Sequence, residues 1–335
     1  MHVDDLSQQL PITHLNRPQA RISVGAGLVA LDWLLIGKDR VRPNESYAGG
    51  SCGNVMAILA FLGWESYPVA RLGTDHRTNR LIKDLERWDV HTDFLLKQQY
   101  GTTPVIIVRL REQPDGSFAR RYEWKDPRSK NWLPQYRPLP KRLVAGMLPK
   151  LPAARIFYFD RAEASVLLLA EKMRDRGSIV FFEPSSTRNN HLFSKCLAVS
   201  DIVKYSAEVF ADPLDNPNSQ SPKIEIQTNG DRGLRYRVKS NSAKPGGWHL
   251  LAPFQTGGNL DSTGCGDWCS AGIITKLCET SRTDFLRLSI PEIQSGIQFG
   301  QALAAVNCEH LGARGPMYHL DRNQVLSRVQ KLCET

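Results

Sequence analysis

With 335 residues, 41% of them hydrophobic, the chain can bury a large core as one big domain or two. Its seven cysteines are odd in number, scattered and free of any CxxC pair, which excludes a disulfide framework and a structural zinc site. The net charge of +9 is concentrated: Arg109 to Lys150 holds eleven Lys or Arg against four Asp or Glu, a local +7.

Residues 1–20 are polar without a clear period and read as a tail. No basic-then-apolar signal pattern opens the sequence, and no apolar run approaches the roughly 20 residues of a membrane helix. The expectation is a soluble, cytosolic protein. Arg21 to Leu35 reads as a buried first strand and its exit. Gly25 and Gly27 begin a G-x-G pattern, but no helix period or strand-end acid follows, so a dinucleotide fingerprint is rejected. Asp32 is a carboxylate inside an apolar run and needs a partner. Two vicinal sugar hydroxyls would satisfy it, and so would a turn it caps.

Gly49-Gly50-Ser51 then opens an amphipathic helix. Ser51 is the expected N-cap, Val55, Ile58, Leu59 and Leu62 follow helical spacing, and Gly63 ends the run. Asn54 sits one turn in. Arg77 to Trp88 is a second helix, and Thr103 to Leu110 and Ala119 to Trp124 are strands of a hairpin turning at Pro114-Asp115-Gly116. Lys125 to Pro152, with six prolines, reads as a long irregular insertion. Its cations and aromatics suit an acidic substrate or a nucleic acid, and equally a solvated face.

From Arg155 onward strands alternate with helices of ten to fifteen residues, the pattern of a parallel sheet covered on both faces. Lys204 and Glu208 fall where the strand Asp201 to Tyr205 ends; a carboxylate there can hold a water on Mg²⁺ beside phosphates, or stand solvated in a first turn. Thr228-Asn229-Gly230-Asp231-Arg232-Gly233 is a turn between two strands. The small-faced helix around Gln301 suits close packing.

Between these lies Asn259-Leu260-Asp261-Ser262-Thr263-Gly264-Cys265-Gly266-Asp267. Gly264 and Gly266 allow successive amides to converge at the start of a helix, where the dipole favours an anion. Asp267 beside such a nest fits a general base that takes a hydroxyl proton while the amides hold a transferred phosphoryl group. Cys265 reads as a small residue whose amide matters. No G-x-x-x-x-G-K-[ST] occurs, which excludes a Walker-type site.

This stretch resembles the Asp-Thr-x-Gly-Ala-Gly-Asp signature of the ribokinase-like (PfkB) kinases, and Gly49-Gly50 with Asn54 resembles their Gly-Gly-x-x-x-Asn. The resemblance implies an α/β fold with a mostly parallel sheet flanked by helices and a small β lid, its strands within about 36–48 and 101–124. Residues 21–335 would form one kinase domain. It further implies an ATP-dependent kinase for a hydroxyl of a sugar or sugar-like compound. Asp267 and the amides of Gly264, Cys265 and Gly266 would be catalytic, and Asp32, Gly49, Gly50 and Asn54 would grip the substrate. Lys204, Glu208, Thr228, Gly230, Gly233 and Gln301 would meet the nucleotide. Glu208 would support Mg²⁺ through water and Asp261 would touch a monovalent cation such as K⁺. The lid would offer a homodimer contact. Tyr205 stands where Asn is usual, Trp268 is bulky, and Arg314-Gly315-Pro316 departs from the family pattern. A nucleoside kinase on the same fold, or a catalytically silent sugar or nucleic-acid sensor, are the alternatives.

Overall fold

Short runs rich in β-branched and aromatic residues form the strands, and longer runs with helical spacing lie between them. The computed structural model describes residues 20–36, 46–185, 191–212, 214, 222–239, 246–256, 258 and 260–334. The expected tail before Ala20, most of the expected strand from Asp39 to Tyr47, and Asn259 lie outside the described residues.

The first strands are β1 (Ile22–Ala26), β2 (Ala30–Ile36), β3 (Ser46–Gly49), β4 (Glu65–Leu72), β5 (Leu95–Lys97), β6 (Val105–Glu112) and β7 (Phe118–Glu123). The later ones are β8 (Ile156–Phe159), β9 (Ile179–Phe182), β10 (Ile202–Ser206), β11 (Ile224–Thr228), β12 (Leu234–Val238) and β13 (His249–Leu251). Between them run α1 (Ser51–Phe61), α2 (His76–Glu86), α3 (Lys141–Met147), α4 (Ala164–Asp175) and α5 (His191–Val199). The C-terminal part adds α6 (Cys265–Leu277), α7 (Arg282–Phe285), α8 (Ile290–Cys308), α9 (Gly315–His319) and α10 (Arg322–Glu334).

Nine strands make one sheet in the order β13-β12-β11-β10-β9-β8-β1-β4-β5, parallel from β11 to β5. One face is covered by α1, α6 and α8, which bury Val55, Ile58, Ile273, Ile297 and Leu303. The other is covered by α3, α4 and α5 through Val144, Leu169, Met173 and Phe193. A separate four-stranded sheet, β3-β2-β6-β7, is the lid.

Three expectations change. Arg21 to Leu35 is two strands in two sheets, so the lid begins at Ala30 rather than near residue 36, and Asp32 is a lid residue. The break comes where the buried carboxylate of Asp160 accepts the Leu28 amide at 3.0 Å. Gly50 (φ 78°), not Ser51, precedes α1, and no side chain caps that helix. The segment after Trp124 is irregular only to Pro140; α3 follows, and Leu133, Leu139, Val144, Met147 and Leu151 are buried. Its prolines obscure a short helix whose inward residues are only Val144 and Met147.

Candidate active site

The start of α6 carries the most specific residues, and its backbone explains the glycine. Gly264 holds φ 76°, and a Cβ there would lie 2.2 Å from the Ala313 carbonyl oxygen. Only glycine permits both. The preceding loop is fixed by Asp261, which is buried. Its Oδ1 accepts from the Thr263 amide at 2.9 Å and hydroxyl at 2.6 Å, and its Oδ2 accepts from the Gly312 amide at 2.8 Å. These three bonds give Asp261 a task as a loop clamp that needs no cation, and among the described residues no cluster of three acidic, His or Cys side chains is arranged for a metal ion.

Asp267 then projects from the first turn of α6 to meet α1. Asn54 Nδ2 donates to Asp267 Oδ2 at 2.8 Å, joining residues 213 positions apart. The two glycine-rich stretches therefore meet. Burial pushes the Asp267 carboxyl well up from the ordinary carboxylate range, Glu183 adds to this, and the Asn54 bond and the Lys204 charge oppose it.

Lys204, in the middle of β10 rather than at its end, is buried. Its Nζ donates to Glu183, whose Oε2 also accepts from Tyr158 at 3.1 Å and from Ser270. A side chain at Gly266 would meet Glu183 Oε1 and Lys204 Nζ, each at 3.8 Å, so this ion pair lies directly beneath the expected anion nest. Burial pulls the Lys204 pKa down, but Glu183 and its hydrogen bond outweigh that, leaving it raised and the amine charged.

The lid supplies the opposite wall. Asp32 on β2 pairs with Tyr47 on β3, and its carboxylate reaches over Gly49, where a Cβ would come within 2.0 Å of Asp32 Oδ2, so glycine is what lets the carboxylate sit there. Burial raises the Asp32 pKa to about 7, against the Arg314 charge and a Gly50 amide hydrogen bond. Arg314 is itself buried, with Nη2 donating to Asp84 Oδ2 at 2.6 Å and to the Ala48 carbonyl at 2.5 Å. Around the N-terminus of α1 three buried polar atoms have no partner: Asp32 Oδ1, Asn54 Oδ1 and Arg314 Nη1. Buried polar groups are ordinarily satisfied, and two acceptors with one donor are what a polyhydroxylated ligand would complete.

Strand β7 of the lid lies along the loop before α6. The Phe118 amide donates to Leu260 O at 2.8 Å, and Arg120 Nη1 donates to Ser262 O at 2.6 Å. Tyr122, on the same face of β7, has its hydroxyl pushed up to about 12, first by burial and further by Asp267, Asp32 and Asp261, while Arg120 opposes the shift.

The expected nucleotide-side residues are more dispersed. Glu208 is exposed on a turn rather than in a helix, with its amide bonded to Ser206 Oγ at 3.1 Å. Its carboxylate, exposed and without a hydrogen-bond partner among the described residues, fits a water-mediated hold on Mg²⁺. Thr228 ends β11 beside Tyr205, and Gly230 and Gly233 shape the turn into β12. Gln301 Nε2 reaches the Ala252 carbonyl at 3.4 Å, and its Oε1 has no partner. Tyr205, which stands where the resembled family usually has Asn, points to the face of the sheet opposite Lys204, where its hydroxyl donates to Glu225 at 2.5 Å. Trp268 is buried, its indole donating to Ala313 O at 3.1 Å, so its bulk lies in the core and not over the nest.

No family model matches the sequence. Similarity appears in three dimensions. The structure of a fructokinase with bound ATP from Xylella fastidiosa superposes with a TM-score of 0.69, covering 93% of this chain and 98% of that one at 18% identity. The fold is the ribokinase-like fold. A Burkholderia thailandensis nucleoside kinase, in complex with ADP-inosine, shares this ribokinase-like architecture at a TM-score of 0.66 and 12% identity, covering 93% of this chain and 96% of that one. In sequence, a fructokinase from Solanum tuberosum is 22% identical over 247 residues, 69% of this chain and 72% of that protein.

Sequence reading had not singled out Asp160, Arg120, Tyr122 or Arg314 as site residues. Asp160 could have been noticed as an acid closing an all-apolar strand. Arg120 and Tyr122 gave only alternation, since a hairpin's sequence does not say what its inner face covers.

Proposed function

We propose that this protein is an ATP-dependent phosphotransferase acting on a hydroxyl of a sugar or sugar-like small molecule. The observation that carries the reading is the 2.8 Å bond from Asn54 to Asp267, which sets a base candidate against the unsatisfied polar atoms around α1. In this reading Asp32, Asn54 and Arg314 hold the substrate hydroxyls over Gly49 and Gly50. Asp267 accepts the proton of the attacking hydroxyl, its raised pKa suiting it to bind that proton. The amides from Gly264 to Asp267 hold the developing negative charge, and Lys204 adds a buried positive charge beneath them. Glu208 would hold Mg²⁺ through water, where the ion supplies charge neutralisation on the phosphates. Gly230, Gly233 and Gln301 would border the nucleotide.

The sugar and nucleoside kinases sharing the fold both support phosphoryl transfer to a small molecule. A sugar is favoured because Asp32 Oδ1, Asn54 Oδ1 and Arg314 Nη1, two acceptors and a donor without partners among the described residues, lie together around the start of α1. ADP release from ATP and Mg²⁺ across a panel of sugars, acidic sugars and nucleosides tests this. Turnover confined to sugars is the expected result. Turnover only with nucleosides would replace the substrate class, and none with any member would remove the reading.

A further inference from the structure

Six of the seven cysteines sit on α1, α5, α6, α8 and α10 and one follows α6, yet only two of them touch each other through sulfur. Cys265 Sγ, in the first residue of α6, lies 2.7 Å from Cys308 Sγ, in the last residue of α8. Both are half-buried, so a small reagent can reach them, whereas Cys52, Cys196, Cys269 and Cys278 are buried. A disulfide needs the sulfurs at about 2.05 Å, a short further approach. The surroundings are polar. Asn307 Nδ2 bonds the Thr263 carbonyl at 2.8 Å and approaches Cys265 Sγ at 3.5 Å. The Cys265 thiol and, more weakly, the Arg120 guanidinium hold the Cys308 pKa below its ordinary value. Burial and Asp261 oppose that shift, and the deprotonated form of the Cys308 thiol is the nucleophile in thiol oxidation.

We propose that Cys265 and Cys308 form a reversible modification site that takes a disulfide on exposure to peroxide and thereby disables the nest at the start of α6. The Cys308 thiolate attacks one peroxide oxygen, giving a sulfenic acid and releasing hydroxide. The Cys265 sulfur then attacks the sulfenic sulfur, the S–S bond forms, and the hydroxyl leaves as water. Two thiols lose two electrons and two protons, and one hydrogen peroxide becomes two waters. A dithiol reverses the step by exchange.

The position gives the bond its consequence. The Cys308 carbonyl already accepts from the amides of Leu260 at 2.8 Å and Asp261 at 3.2 Å, so α8 holds the loop from one side. A covalent link to the next turn of the same loop would fix the Cys265 amide, one of the proposed donors to the phosphoryl group. The effect on turnover rests on the function proposed above; the disulfide itself does not.

Reduced full-length protein is treated with hydrogen peroxide and followed by peptide mapping, intact mass and ADP release. The wild type is expected to become two hydrogens lighter and to yield a peptide linking Cys265 to Cys308. Its turnover should fall about 10²-fold, the loss expected when one anion-hole donor is misplaced, and dithiothreitol should restore it. Cys308→Ser should keep the turnover of reduced wild type and resist peroxide. Oxidation elsewhere without that linked peptide would overturn the proposal, and so would a linked protein with full turnover. If the reduced protein releases no ADP with any substrate, the enzymatic reading fails by itself, while the linked peptide still decides the site.

Discussion

The two halves of the proposed cleft are built differently. At the start of α6 two bonded groups lie side by side, Asn54 with Asp267 and Glu183 with Lys204, Tyr158 and Ser270, drawn from α1, β8, β10, α6 and the loop after β9. On the expected nucleotide side, Glu208 is exposed, and the side chains of Thr228 and Gln301 make long 3.4 Å bonds to the carbonyls of Tyr205 and Ala252. The difference follows from what each half must do. Proton transfer demands a base held within hydrogen-bond reach of one oxygen, so its group is buried and cross-braced. A nucleotide is held by several weak backbone and side-chain contacts, which an open turn can provide.

The largest test of this contrast is Asp267→Asn. It should lower turnover by about 10²–10⁴ in the ADP assay while leaving substrate affinity by calorimetry near that of the wild type. Turnover near wild type would take the base away from the bonded half. Next is Lys204→Met, which leaves Glu183 without its buried partner. Urea unfolding should show a loss of about 3–5 kcal/mol. Adding Glu183→Gln should return much of the stability but not the activity, and a single variant as stable as wild type would show that the cluster is not a unit.

The smallest effect separates binding from stability at the lid. The folded pKa of Asp32, about 7, lies above its ordinary 3.8, so the native state holds the proton more tightly than the unfolded chain. Stability is therefore lost as pH rises from about 4 to about 7. Asp32→Asn should weaken substrate binding by about 10–100-fold. It should stabilise the protein by about 1–3 kcal/mol at pH 8, with the gain vanishing near pH 4. A variant with unchanged pH dependence of melting would place Asp32 outside the buried pocket.

Much of this was readable in order along the chain. Alternating strands and helices gave the sheet, because burial on both faces writes continuous apolar runs into the strands. The glycines at 49, 50 and 264 could be recognised because close approach of other atoms excludes a Cβ there, whereas Gly266 leaves room for one, its nearest neighbours lying at 3.8 Å. What misled was local. Ser51 looks like a cap, yet Gly50 holds that place; Lys204 and Tyr205 are neighbours in sequence, but strand alternation sends them to opposite faces of the sheet.

The sequence by itself determined the layered α/β architecture, and it pointed to the proposed nest at Gly264 and Gly266 and to Asp32 and Asp267 as the acids of the proposed cleft. Only the tertiary structure decided that Asn54 reaches Asp267, that Arg120 bonds the loop before α6, that Arg314 stands behind Asp32, and that Cys265 meets Cys308. The physical reason is range. Periodicity and turn chemistry act over a few residues, whereas each of these contacts joins positions more than forty apart and forms only when separate elements pack.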